Sequence, residues 1–354
     1  MFKNLMRALA LASLVAHGHA AEPLKVGFVY VSPIGQAGWT FQHDQARLAL
    51  ERTLGAKVQT RYVEGVLEGA DAERVMRDLA THGHQLIFAT SFGYLEPALR
   101  VAADFPQVKF EHAGGYKTAP NLTTYNARFY EGRWLAGWLA GRASQRGVAG
   151  YVAGFPVPEV VQGINAFAQG MRAANPKAVV RVLWLNTWFD PPKEREAALS
   201  LILGGADVLT NHSGSPAVPQ TAEEKGVKLI GYQSDMSRYA PKAQLAAVTA
   251  DWSAYYLREA RAVIDGRWQA QPTWGGMKDG MVRLSALSPT VPAVWRKELA
   301  RLEQQLVAGK AGPFVGRLVD QAGTVRQERG VLGDTAIAQM DWFVQGVEGN
   351  LPRK

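Results

Sequence analysis

Several strings in this chain carry residue types on which catalysis or metal binding could be built, and each lacks a partner that the chemistry requires. Ser213-Gly214-Ser215 sets serines beside glycine, but there is no Gly-x-Ser-x-Gly elbow to hold a nucleophile against a base, so the string reads as a tight turn. Gly114-Gly115-Tyr116-Lys117-Thr118 has only the tail of the phosphate-binding Gly-x-x-x-x-Gly-Lys-Ser/Thr loop. His82 and His84 flank Gly83 at the expected end of a helix, with no carboxylate or third histidine at ligand spacing, which points to capping rather than chelation. His43-Asp44 falls early in a helix, where an acid favours the positive end of the macrodipole. No catalytic residue, metal site or cofactor is therefore expected.

The residues that stand out are aromatic. Trp39 and Phe41, Phe92 and Tyr94, and Trp188 and Phe189 each follow an expected strand rather than lying inside one. Aromatics so placed can sandwich a flat ring, each ring pair contributing about 0.5–1.5 kcal/mol beyond the area it buries. Asp235 also follows a strand, where a carboxylate can accept hydrogen bonds from ligand N–H or hydroxyl groups, or can cap the next helix.

The elements that must position these residues alternate. Strands are expected at 24–31, 57–63, 86–90, 108–112, 149–153, 179–185, 208–211 and 228–232, with helices between them at 41–54, 70–81, 94–104, 130–144, 160–174, 193–203 and 216–224. A helix from 289 to 308 and a Gly-rich hairpin around Asp320–Gly323 close the chain. Strand-helix alternation implies parallel, doubly wound α/β sheets joined by right-handed crossovers, with ligands held at the carboxyl ends of strands. The loops at those ends are 32–41, 91–93, 114–117, 154–158, 186–190, 213–216 and 233–236. A mature chain of about 330 residues exceeds what one core usually supports, so two lobes are expected. The expected division is 24–127 with about 236–285 in lobe 1, and 128–235 with about 286–354 in lobe 2.

Lys3 and Arg7 precede an apolar run from Ala8 to Ala16, and Gly18-His19-Ala20 places small residues where a signal peptidase cuts. Residues 1–20 read as a secretory signal peptide cleaved after Ala20. The run is shorter than the roughly 20 residues of a membrane-spanning helix. Cysteine is absent, which excludes disulfides and a lipid anchor on a mature N-terminal cysteine. The net charge of +8 is spread among acids, as in Lys193-Glu194-Arg195-Glu196, with no basic run for nucleic acid.

With these elements in place, Gly35-Gln36-Ala37-Gly38-Trp39-Thr40-Phe41-Gln42-His43-Asp44 resembles the first-loop motif of the Bmp (basic membrane protein) family of ABC-transporter receptors. Thr90-Ser91-Phe92-Gly93-Tyr94, Gly163-Ile164-Asn165-Ala166-Phe167, Asn186-Thr187-Trp188-Phe189-Asp190-Pro191, Ser234-Asp235-Met236, Trp252 with Tyr255-Tyr256, and Trp274-Gly275-Gly276-Met277-Lys278-Asp279-Gly280 agree with it in order and spacing. The resemblance implies a type I periplasmic-binding-protein fold of two Rossmann-like lobes joined by a hinge. It also implies capture of a small molecule between the lobes and delivery to a membrane permease with its ATPase. Relatives of this kind bind purine nucleosides.

Carried over by position, Phe41 and Trp188 would sandwich the base and Asp235 would hold ribose hydroxyls; Trp39 and Phe92, from the aromatic loops, and Trp252 are further candidates for the ligand site. Gln36 and Ser91 would fix orientation. The branch usually has Asp where Gln36 and Gly214 stand, and nucleoside receptors place a lysine where Thr249-Ala250-Asp251-Trp252 has none. A free purine base thus stands beside a nucleoside as the expected ligand, on a monomeric periplasmic receptor of an ABC importer. The alternatives are a ligand-binding sensor docking to a membrane receptor, and a nucleoside-processing hydrolase using Asp235, Asp190 or Glu159.

Overall fold

The computed structural model describes residues 22–352, so the signal peptide read at 1–20 lies outside the described residues. In chain order the first elements are β1 (Leu24–Val29), α1 (Trp39–Leu54), β2 (Val58–Val63), α2 (Ala70–Thr81), β3 (Leu86–Ala89), α3 (Leu95–Asp104), β4 (Lys109–Ala113) and β5 (Leu122–Ala127). They continue with α4 (Phe129–Ala143), β6 (Val148–Ala153), α5 (Pro158–Ala174), β7 (Val179–Trp184), α6 (Pro191–Leu203), β8 (Val208–His212), α7 (Ala217–Lys225), β9 (Lys228–Gln233) and β10 (Gln244–Ala250). Next come α8 (Ser253–Ile264), β11 (Thr273–Gly275), β12 (Val282–Leu284) and α9 (Ala293–Val307).

Two sheets result. The first runs β11-β5-β4-β3-β1-β2, with every neighbouring pair parallel. The second runs β12-β10-β9-β8-β6-β7 and ends on the short strand Val347–Glu348; only β10 and β12 are antiparallel. Strand order reverses between β1 and β3 in one sheet and between β6 and β8 in the other, the switch points at which such sheets open a crevice. The central strands are buried on both faces, as in Leu86–Ala89 and Val208–His212, because crossover helices cover them.

The chain passes between the sheets at three places. β5 leads into α4, β10 leads into α8 beside the first sheet, and β11 leads back to β12. The expected lobe boundary near 236 is therefore corrected: β10 extends the second sheet to Ala250, pairing with β9, and β12 belongs there too. β10 lies outside the expected strands because Gln-Leu-Ala-Ala-Val-Thr-Ala is alanine-rich and weak in strand propensity; pairing on both sides decides its conformation. β5, Leu-Thr-Thr-Tyr-Asn-Ala, was hidden by its polar residues. The crossings are tied to one another. Arg128 N donates to Gly275 O (2.7 Å), Asp251 N to Met281 O (3.1 Å), and Met277 N to the Glu131 carboxylate (2.6 Å).

Beneath the first sheet lies an aromatic core. Trp252 is fully buried and stacks on His43 at 5.0 Å; His43 Nδ1 meets the Tyr256 hydroxyl (2.5 Å), which also contacts the Tyr125 hydroxyl (2.9 Å). In the second lobe α4 and α5 cross at backbone contact, because a Cβ on Gly170 would strike the Trp134 carbonyl oxygen and one on Gly137 would strike that of Phe167. Neither helix can yield without losing its own hydrogen bonds, so Gly170→Ala is expected to cost about 2–3 kcal/mol, read as a lower denaturation midpoint.

Glu111 on β4 is fully buried; Trp268 Nε1 (2.7 Å) and the Tyr255 hydroxyl donate to it. Burial, with Glu259 adding repulsion, pushes its carboxyl up to about 8. A carboxyl raised in the folded state contributes stability below its unfolded pKa, and that contribution is lost as pH rises through about 8. Denaturation midpoints should fall between pH 6 and pH 9, and Glu111→Gln should flatten that slope.

Candidate functional site

The carboxyl ends of both sheets face a shared cleft, which encloses a cavity. From the first lobe, Val31 and Ser32 follow β1, Trp39 opens α1, Ser91 and Phe92 follow β3, and Ala113 and Gly114 end β4. From the second, Val157 and Glu159 begin α5, Trp188 follows β7, His212 to Gly214 follow β8, and Tyr232 and Gln233 end β9. Each of the seven loops that the strand pattern singled out contributes to this wall.

Hydrogen bonds hold the aromatic walls in place. Trp39 Nε1 donates to the Thr90 carbonyl (2.6 Å), while its ring packs edge-on against His43 and Trp252. Trp188 packs edge-on against Phe155 and lies directly over Gly154, where a Cβ would come within 2.6 Å of its ring; only glycine leaves room for the indole. Across the cleft, Trp188 Nε1 donates to Glu68 Oε1 (3.2 Å), which also accepts from Ser91 Oγ (2.6 Å) and Gly93 N (2.9 Å). At another point Ser234 Oγ accepts from Gly38 N (2.8 Å) and Gln42 Nε2 (2.9 Å), and a Cβ on Gly38 would meet Gly214 O at 2.8 Å. The two lobes therefore touch at both of these points and the cleft is shut.

Most of the wall is apolar, and its polar groups are few. Glu159 stands in the first turn of α5, where the helix dipole favours a carboxylate. Asn126 Nδ2 donates to its Oε2 (2.8 Å), and His212 Nε2 lies 3.5 Å from its Oε1. Burial holds the His212 imidazole below its ordinary pKa despite Glu159, so the ring is neutral at neutral pH. Gln233 is buried with φ of 65°, a left-handed conformation that costs a residue with a side chain, and its Oε1 has no hydrogen-bond partner.

Of the residues expected from the sequence, Trp39, Ser91, Phe92 and Trp188 come together on the wall. The others do not. Gln36 is exposed and outside the cavity. Phe41 is half-buried on α1 two residues beyond Trp39, a turn of roughly 200° that sends it to another face of the helix. Trp252 belongs to the first-lobe core. Asp235 is exposed and accepts from Ser237 N (2.8 Å) and Gln244 Nε2 (2.7 Å), closing its own turn. Asp190 caps α6 by accepting from Lys193 N (3.1 Å). His82 and His84 lie against the Asp78 and Leu79 carbonyls at the end of α2. Among the described residues, no cluster of three or more His, Asp or Glu is placed to hold a metal ion.

Glu159, His212, Tyr232 and Gln233 were not singled out as wall residues. Their signal was position: each ends or follows a strand on the ligand side, but nothing in their local sequence separates them from residues that cap turns.

Residues 24–310 match the family model described as ABC transporter substrate-binding protein PnrA-like, the Bmp family. A purine-binding protein of Brucella abortus is 47% identical over 95% of this chain and 96% of its own length. A putative ABC transporter glucose-binding protein of Haloferax volcanii is 38% identical over 94% of this chain and 82% of that one. An ABC transporter solute-binding protein of Aeropyrum pernix superposes with a TM-score of 0.71 at 18% identity, covering 83% of this chain and 93% of that one, a likeness of fold.

Because Asp235 turns its carboxylate toward its own loop, Asp235→Ala is expected to leave ligand affinity within about twofold, measured by calorimetry, and to cost no more than about 1 kcal/mol of stability.

Proposed function

We propose that this chain, which belongs to the Bmp family of ABC-transporter substrate-binding proteins, captures a purine in the closed cleft and delivers it to an ABC permease and its ATPase. The observation that carries this reading is the wall itself. Trp39, Phe92 and Trp188 project from different strand ends of both lobes into one cavity, with a handful of polar groups among them. Such a wall suits a flat heterocycle, whose faces gain from aromatic contact and whose edge needs only a few hydrogen bonds. A hexose, with hydroxyls on every side, would leave more polar groups unpaired against it, each costing about 1–3 kcal/mol. This favours the ligand in the Brucella protein's name over the one in the Haloferax protein's name.

Binding works by closure. Ligand atoms that touch both lobes stabilise the closed state by their differential affinity for it, together with the Glu68–Trp188 and Ser234–Gly38 contacts that exist only when the lobes meet. The membrane partner then reads the closed shape. The protein acts as a monomer in the periplasm, reached through the export signal at residues 1–20, and returns its ligand chemically unchanged.

Native mass spectrometry of the purified protein, followed by a thermal-shift screen of purine bases and nucleosides on ligand-free protein, tests this. A purine at a hundred times its Kd should add about 2.7 kcal/mol of stability. The absence of a shift with any purine at saturation, or the release of free base from nucleosides, overturns the proposal. Trp188→Ala should weaken the purine that binds by about 10- to 100-fold, from lost aromatic burial.

A further inference from the structure

The charge on the cavity wall is one-sided. Among the described residues, Glu159 is the only acidic side chain lining it, and neither lysine nor arginine lines it. The buried Arg133 lies against Tyr232, its guanidinium 3.5 Å from the ring centroid, and is committed to Thr210 Oγ1 (2.8 Å) and the Asn211 carbonyl (2.6 Å). The groups that touch Glu159, Asn126 and a neutral His212, bring no positive charge. An ionised carboxylate offers about four acceptor positions and donates nothing. Asn126 and His212 therefore leave acceptor capacity on Glu159. Gln233, on the same wall, carries an amide that both donates and accepts and so sets no polarity of its own.

That carboxylate specifies what must face it. A ligand edge of N–H groups gains charge-assisted hydrogen bonds, whereas a carbonyl oxygen or an anion placed there is repelled in a site shielded from water. Adenine and guanine carry an exocyclic NH2; hypoxanthine and xanthine carry carbonyl oxygens in its place, and xanthine also loses a proton most readily of the four. Phosphorylated purines would find no cation on the wall. Resting on the purine reading above, we infer that Glu159 is the specificity-determining group that selects amino-bearing purines over their oxo counterparts and over anionic forms.

The test is calorimetric titration of adenine, guanine, hypoxanthine and xanthine into protein stripped of ligand by unfolding and refolding. The wild-type chain should bind the better aminopurine at least about 10-fold more tightly than either oxopurine, the size expected of one hydrogen bond to a charged group. In Glu159→Gln, whose amide both donates and accepts, that ratio should shrink to within about threefold, with the loss falling on the aminopurine. A wild-type ratio near one, or a ratio that Glu159→Gln leaves unchanged, overturns the selectivity while purine binding stands. If wild type binds none of the four bases or their nucleosides, the purine reading itself falls, and this inference with it. Should Glu159→Gln not refold, as judged by circular dichroism, the wild-type ratio decides the matter.

Discussion

Parallel strands cannot be joined by tight turns; each needs a crossover that returns the chain to the same edge of the sheet, and this constraint organises the whole molecule. Because every β-to-α loop leaves from the carboxyl edge, a doubly wound sheet collects its loops along one rim. This chain builds two such sheets, with matching strand orders and reversals between β1 and β3 and between β6 and β8. Turned rim to rim, they bring residues as distant in sequence as Ser32 and Gln233 onto one cavity wall. The helices bury the other surfaces, and where they crowd most, at α4 and α5, glycines let backbones touch.

Two rims facing each other make a cleft only if the sheets can approach and separate. The three crossings bound to one another at Arg128–Gly275, Asp251–Met281 and Glu131–Met277 provide a compact pivot. Far from it, the lobes meet through few and polar contacts: Trp188 on Glu68, and Ser234 on Gly38 and Gln42. Glu68 is exposed and shared among Ser91, Gly93 and Trp188, so its bond to the second lobe exchanges readily with water. On the reading proposed above, contacts of this size bias closure without locking it, and the ligand supplies the difference between states.

The cavity couples two kinds of group with different tasks. Aromatic walls supply area and exclude water, and in doing so raise the cost of any unmatched polar atom. Against that background the few polar groups on the wall, Glu159 and His212 among them, are where a matched or unmatched partner counts most. The strained backbone at Gln233 fits this division, since a non-glycine residue persists at φ of 65° only where the surrounding structure holds it there.

The sequence by itself determined the fold class, because hydrophobic period and turn residues are local: α2 lies where the pattern put it, and most strands begin or end within a residue or two of expectation. It also determined which loops line the cavity, since the carboxyl end of a strand is known once the strand is. Tertiary structure decided everything that depends on rotation or on distant pairing. Trp39 and Phe41 share a loop motif, but the onset of α1 at Trp39 turns one into the cavity and the other away. Asp235 satisfies itself within its own turn, through a glutamine nine residues on. Trp252, following a strand too alanine-rich to recognise, fills the core of the lobe opposite the one its strand belongs to. Glu159 acquired its place on the wall only when the helix it begins was set against Asn126 from the other sheet, a juxtaposition with no trace in local pattern.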